Sequence, residues 1–198
     1  MQINAIKLQP SNPFTWASGW KSPIYCDNRK TLSFPAVRTY IRDSFAGLVN
    51  KLYPDTEVIA GVATGAIAHG VLTADKLGLP FIYVRSEAKT HGLGNQIEGY
   101  YEKGQRVVVI EDLVSTGGSS LGVVKTLRAA GCEVLGMIAI FTYGFQKATD
   151  GFAADKCTLN TLSNYNSLVE CAVENGYISQ SEVETLKRWK ADPSIWNV

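Results

Sequence analysis

The apolar positions of this chain follow two alternating patterns. Val58–Val62, Phe81–Val84, Val107–Ile110 and Val134–Phe141 are short runs rich in β-branched residues, each bounded by turn residues. Runs of that length and composition predict strands buried on both faces of a parallel sheet. Between them the spacing changes to three or four. Val37, Ile41, Phe45, Leu48 and Val49 predict a helix that begins at Pro35 or Ala36 and is ended by Pro54. A second helix should follow Ala63-Thr64-Gly65 and run to about Leu77, with Thr64 as its cap. A third is expected from about Leu121 to Ala130. Glu133–Tyr143 reads as one long strand, and Lys156–Leu162 as a shorter, more polar one suited to a sheet edge. Two helices close the pattern: Tyr165–Asn175, stopped by Gly176, and one from Ser179. In the latter Glu182 completes a capping box, and Val183, Leu186 and Trp189 form the buried stripe.

Strand, turn and helix repeating in this order predict an α/β fold, a central mainly parallel twisted sheet flanked by helices. Ligands of such sheets bind beyond the carboxyl ends of the strands, where the Thr64-Gly65 turn and the Ser115 to Ser119 loop should both lie. Two stretches break the pattern. At the start, Ile3, Ile6 and Leu8 end an apolar segment closed by Pro10 and Pro13. Phe14–Asp27 then reads as two short strands around a turn at Ser18-Gly19, too small to stand alone. It is expected to lie as a flap, residues 1–34, on a body formed by residues 35–198, with Trp16 and Trp20 packing against that body. The second break, Arg85–Gln96, is too rich in glycine and charge for an element interior and longer than ordinary connections. Arg85, Lys89 and His91 place cations or titratable groups in it, as a functional loop at a strand's carboxyl end would.

With 198 residues the chain can bury one full core. A formal charge of +1 gives no global field to recruit nucleic acid or an anionic membrane. No apolar run reaches the length of a membrane helix. Cys26, Cys132, Cys157 and Cys171 are widely separated, and Met1 is not followed by a signal-peptide pattern, so reduced thiols in the cytoplasm are expected. His69 and His91 have no ligand spacing with these cysteines, which argues against zinc.

The chemistry concentrates at Arg106–Ser120. A buried strand is expected to stop at two adjacent carboxylates, Glu111 and Asp112. Leu113 and Val114 lead into Ser115, Thr116, Gly117, Gly118 and Ser119, and a helix follows. Glycines let successive backbone N–H groups turn inward, and the positive end of the helix adds attraction for a phosphate. Two carboxylates would repel that phosphate unless the ligand also carries hydroxyls or a divalent cation. The spacing matches neither the nucleoside-triphosphate loop nor the dinucleotide fingerprint.

Ile110-Glu-Asp-Leu-Val-Ser-Thr-Gly-Gly-Ser119 resembles the 5-phosphoribosyl 1-diphosphate (PRPP) motif of type I phosphoribosyltransferases. Alone it implies the ligand and leaves the reaction open. Phe14–Asp27, with Ser18-Gly-Trp-Lys-Ser-Pro23, is similar to the amino-terminal hood of the orotate phosphoribosyltransferases. Arg85-x-x-x-Lys89-x-His91-Gly92 is similar to their mobile catalytic loop. The resemblance extends over essentially the whole chain.

It implies the type I phosphoribosyltransferase fold and pentosyl transfer from PRPP to orotate, giving orotidine 5′-monophosphate and pyrophosphate in pyrimidine synthesis. Mg²⁺ would be the cofactor, carried mainly through PRPP with no direct protein site. Glu111, Asp112 and the loop from Leu113 to Ser119 would hold PRPP, the two carboxylates taking the ribose hydroxyls. Arg85, Lys89 and His91 would neutralise the departing pyrophosphate. Ser115, Lys21, Tyr25 and Cys26 would contact orotate. The catalytic loop would reach across a homodimer interface. Some members carry lysines where Ala17, Gly65 and Ser86 stand. Where members use an arginine for the orotate carboxylate, Tyr143-Gly-Phe-Gln146 offers none, and the nearest cation is Lys147. Two other readings remain. One is transfer to a different base, against which the hood argues. The other is a PRPP-sensing regulator, for which no helix-turn-helix or basic patch is present.

Overall fold

The computed structural model describes residues 1–16, 18–85 and 96–196. The chain starts with three-residue β1 (Ile6–Leu8), where only the tail of an apolar segment was expected. β2 (Phe14–Thr15) and β3 (Lys21–Ser22) pair antiparallel around the turn at Ser18-Gly19, and β4 (Ile24–Cys26) pairs back on β1. The bend between β3 and β4 is held locally. Ser22 Oγ donates to the Ile24 carbonyl at 2.9 Å and accepts the Ile24 N–H at 3.2 Å around Pro23. A 3₁₀ turn, Asn28–Ser33, joins this hood to α1 (Pro35–Leu52). Proline at the first helical position loses no hydrogen bond that the helix would have made.

The body is a six-stranded sheet. Its strands are β5 (Val58–Val62), β6 (Phe81–Val84), β7 (Ile97–Glu98), β8 (Arg106–Val114), β9 (Glu133–Thr142) and β10 (Leu159–Asn164). They lie in the order β10-β9-β8-β5-β6-β7. All neighbours are parallel except β6 and β7. All five residues of β5 are buried, as a strand covered on both faces requires. β10 sits at the edge, where its polar composition placed it.

From β5 the chain adds strands first on one side, through β6, and then on the other, through β8 and β9. The strand order therefore reverses between β5 and β8, and the crevice beyond their carboxyl ends is where sheets of this kind bind ligands. The flanking helices are α2 (Ile67–Leu77), α3 (Gly118–Ala129), α4 (Gln146–Ala154), α5 (Tyr165–Glu174) and α6 (Gln180–Ala191). α6 begins with the expected capping box and buries Val183, Leu186 and Trp189.

Several expectations are corrected. β8 does not stop at the acidic pair; it carries Glu111 and Asp112 within it and pairs with β9 as far as Val114 opposite Thr142. The long neighbouring strand supplies hydrogen-bond partners past the point where the apolar run ends. α3 starts three residues earlier than expected, at Gly118, so Ser119 and Ser120 belong to its first turn. Thr64 does not cap α2: the N-cap is Ala66, and only the Thr64 carbonyl reaches the helix, accepting from Ile67 N at 3.3 Å. Neither β7 nor α4 was foreseen.

Trp189 ties the two ends of the described chain together. It is fully buried, its indole N–H donates to the Lys21 carbonyl at 3.1 Å, and its ring meets Trp16 edge-on at 5.6 Å. Trp16 in turn donates from its indole to the Ile24 carbonyl at 3.1 Å. The hood is thus fixed on the body by aromatic packing, the role expected of Trp16.

Candidate active site

Two cavities open at the switch between β5 and β8. The first, about 360 Å³, is lined by Cys26, Asp27, Arg29, Val62–Gly65, Glu111–Leu113 and Ser119. The second, about 280 Å³, is lined by Thr15, Trp16, Tyr25, Cys26, Leu113, Ser115 and Tyr143. Cys26 and Leu113 belong to both, so one molecule can occupy the two together. The first is polar and sits at the start of α3; the second is walled by aromatic rings. That pairing suits a ligand with a phosphorylated, hydroxylated part and a flat apolar part.

The loop expected to hold a phosphate consists of Ser115–Gly117 and the first turn of α3. Gly117 has φ +82°, a left-handed conformation in which side chains are strained. A Cβ there would also press on Phe152 at 3.2 Å. Gly118 and Ser119 are exposed, and the first-turn N–H groups have no intrahelical partners, leaving them for an anion.

The two carboxylates differ sharply. Glu111 is buried and both its oxygens are engaged. Oε1 accepts the Asp112 backbone N–H at 2.9 Å, and Oε2 accepts the Ser120 hydroxyl at 2.8 Å. Burial first, then the charge of Asp112, pushes the Glu111 carboxyl above the ordinary carboxylate range. Asp112 is half-buried, and its carboxylate lies over Gly65 so closely that a Cβ on Gly65 would overlap it. A side chain at position 65 would therefore require the Asp112 carboxylate to move.

Residues that the sequence did not single out complete the first cavity. Asp27 and Arg29 form an ion pair at 2.7 Å on its wall. The pair holds the Asp27 carboxyl below its usual range, mainly through the hydrogen bond from Arg29. The local signal was the Asp27-Asn28-Arg29 run immediately after the hood's last strand. Among the described residues no cluster of three or more His, Cys, Asp or Glu side chains could hold a metal ion alone. Asp27 and Asp112 nevertheless give the cavity carboxylate oxygens, which suit a hard divalent cation arriving on a phosphorylated ligand.

Ser115, Tyr25 and Cys26, three of the residues expected to contact the base, all line the second cavity. The Cys26 thiol is pushed up to about 12, chiefly by burial and then by Asp112 and Asp27, so it stays protonated. Lys21 is not part of the lining. Its ammonium donates to Thr15 Oγ1 at 2.8 Å, one residue behind the wall. Thr15 therefore accepts from a cation and keeps its own hydroxyl proton for the cavity. Lys147 is exposed on α4 and lines neither cavity. Arg85 is exposed at the carboxyl end of β6, with its backbone N–H bonded to the Gln96 carbonyl at 2.9 Å. Lys89 and His91 lie outside the described residues. His69 is buried within α2 and faces Thr31 Oγ1 at 3.4 Å, away from both cavities' lining.

Comparison with known proteins agrees with this geometry. Residues 33–175 match the phosphoribosyl transferase domain family. The orotate phosphoribosyltransferase of Porphyromonas gingivalis is 54% identical over 198 residues, covering 100% of this chain and 94% of that protein. The crystal structure of orotate phosphoribosyltransferase from Aeropyrum pernix superposes with a TM-score of 0.78 at 27% identity, over 90% of this chain and 96% of that one. Leishmania donovani UMP synthase superposes at 0.79 with 26% identity, over 96% of this chain and 40% of that longer one. With a phosphate loop, an acidic strand end and an aromatic cavity at one switch point, this chain belongs to the phosphoribosyltransferase family, among the orotate phosphoribosyltransferases.

Proposed function

We infer that this chain transfers the 5-phosphoribosyl group of PRPP to orotate, forming orotidine 5′-monophosphate and pyrophosphate. The observation that carries the reading is the shared wall at Cys26 and Leu113, which joins an aromatic cavity to a polar one that holds Asp112 and the start of α3. In the reaction the ribose C1–O bond breaks and its electron pair leaves with pyrophosphate, while a ring nitrogen of orotate forms the new bond to C1 and gives up its proton to pyrophosphate or water. Positive character builds on the ribose, as in glycoside cleavage.

Ser115–Ser119 hold the 5′-phosphate through backbone N–H groups and hydroxyls. Asp112 accepts a ribose hydroxyl and favours the cationic ribose through its charge. Glu111 can accept a second hydroxyl only by releasing the Asp112 N–H or the Ser120 hydroxyl, so it also braces the strand end. Arg85, Lys89 and His91 neutralise the departing pyrophosphate, and their loop closes over the site to exclude water. Ser115, Tyr25, Cys26 and Lys21, acting through Thr15, define the base side. Bound Mg²⁺ would neutralise phosphate charge, approached here by Asp27 and Asp112.

The reading extends to a homodimer that shares the Arg85–His91 loop across its interface, to a hood of residues 1–34 on a core of residues 35–198, and to work in the cytoplasm. All four cysteines are free thiols, and no described helix is long and apolar enough to cross a membrane.

The test follows orotate by its ultraviolet absorbance in the presence of PRPP and Mg²⁺, with adenine, hypoxanthine and uracil in parallel. Consumption of orotate alone is expected. Preference for any of the other bases would overturn the reading.

A further inference from the structure

Tyr143 stands immediately after β9, at the back of the base cavity, and only 2% of its surface is exposed. Five rings surround it: Trp16, Phe141, Phe145, Tyr165 and Trp189, with centroids 5.2 to 6.4 Å away. A ring so enclosed cannot swing aside, so the direction of its hydroxyl is set before any ligand arrives.

Buried tyrosine hydroxyls normally have a hydrogen-bond partner. The other buried tyrosine does: Tyr165 donates to the Leu186 carbonyl at 3.1 Å. The Tyr143 hydroxyl has no partner among the described residues, yet it is not sealed away from solvent. Tyr143 is one of the residues that line the cavity, so its unpaired hydroxyl is a donor beside the space a base would fill. Burial raises the phenol's pKa, and Cys26 and Tyr25, also in the cavity wall, act in the same direction. The hydroxyl is therefore a protonated donor throughout the neutral range. The described walls of this cavity hold no cation, so an oxygen-rich, anionic base meets neutral donors there.

We propose that Tyr143 is a specificity-determining residue of the base site, its hydroxyl donating a hydrogen bond to an exocyclic oxygen of bound orotate. This rests on the reading of the activity given above. The cage of aromatic rings presents the donor, and the base supplies the acceptor that the protein withholds. A ligand that put an apolar edge there would leave the hydroxyl unpaired and bind less well.

Tyr143→Phe isolates the hydroxyl, because the ring and its packing remain. The orotate KM, measured together with the dissociation constant of orotidine 5′-monophosphate, should rise roughly three- to tenfold. The kcat and the PRPP KM should stay within about twofold. Thermal stability should stay level or rise, since the lost hydroxyl had no partner in the protein. An unchanged orotate KM overturns the proposal. So does a fall in melting temperature with equal losses for both substrates, which marks a structural hydroxyl. Wild-type protein inert toward orotate would instead refute the reading of the activity, so the two failures are distinguishable.

Discussion

Asn28 donates from Nδ2 to the backbone oxygen of Asp112 at 2.6 Å, joining the segment behind the hood to the acidic strand end. Asn28 is itself buried and held from both sides: its Oδ1 accepts from the Cys26 thiol at 3.4 Å, and its carbonyl accepts from Thr31 Oγ1 at 2.6 Å. Thr31 in turn reaches His69 on α2. The carboxylate expected to meet the ribose is thus positioned by a polar chain that runs under the site. Asn28→Ala leaves the Asp112 carbonyl without this donor and should cost about 1–3 kcal/mol of stability. It should raise the PRPP KM more than the orotate KM. Denaturant titration with steady-state kinetics checks both; equal KM values in variant and wild type would show that Asn28 only supports the fold.

Gly65 and Asp112 share one small volume. A methyl group on Gly65 would overlap the Asp112 carboxylate, which would have to swing away to make room. Gly65→Ala should therefore displace Asp112 and raise the PRPP KM by about tenfold or more, the effect of misplacing one positioned group. In a double-mutant cycle with Asp112→Ala, the stability effects should be non-additive by about 0.5–3 kcal/mol, because removing the carboxylate relieves the overlap. Additive effects would mean the two residues do not meet.

Much of this was legible in the order of residues. β5 and β6 appear where their unbroken apolar runs lie, since strands buried on both faces announce themselves by composition alone. The capping box of α6 is equally local. The glycine turn at Gly117 and a helix after it were equally readable, because consecutive residues build them. The features that escaped are long-range. Asn28 has no local signal for a partner on β8. β7 has two residues and exists only because β6 offers it an edge. α4 starts without a side-chain cap and buries only Ala148 and Phe152, so its periodicity is faint. Thr64 matched a capping residue by type, yet the chain uses Thr64-Gly65 to pass over Asp112 before the helix begins.

The Glu111 carboxyl should make stability depend on pH in an unusual direction. Its folded-state pKa is raised above the ordinary 4.5 by burial and by Asp112. Above about 4.5 the unfolded chain has lost this proton while the folded protein still holds it. This group's contribution is therefore full below that point and declines as pH rises through the folded value. Glu111→Gln keeps an acceptor for the Asp112 N–H but cannot ionise. Denaturation from pH 4.5 upward should show wild type losing stability relative to the variant, with the gap widening as pH rises. A constant gap would place the Glu111 pKa at its ordinary value.

Lys89 offers the sharpest test of the shared loop. If it neutralises the pyrophosphate as that group departs, Lys89→Ala should lower kcat by about 10²–10³ while PRPP binding remains measurable. Asp112→Asn should be inactive for a different reason, because it weakens the hold on the ribose and the favourable charge beside it. When the two variants are co-expressed and associate at random, half of the dimers are mixed. In each mixed dimer a loop acting in trans brings intact Lys89 to the site that retains Asp112, and the other site carries both defects. About a quarter of wild-type activity should then return, from two parents that each have almost none. A loop acting within its own subunit restores nothing, because every site would keep one defect. The size of the recovery therefore reads out the arrangement of the dimer directly, without a structure of the closed state.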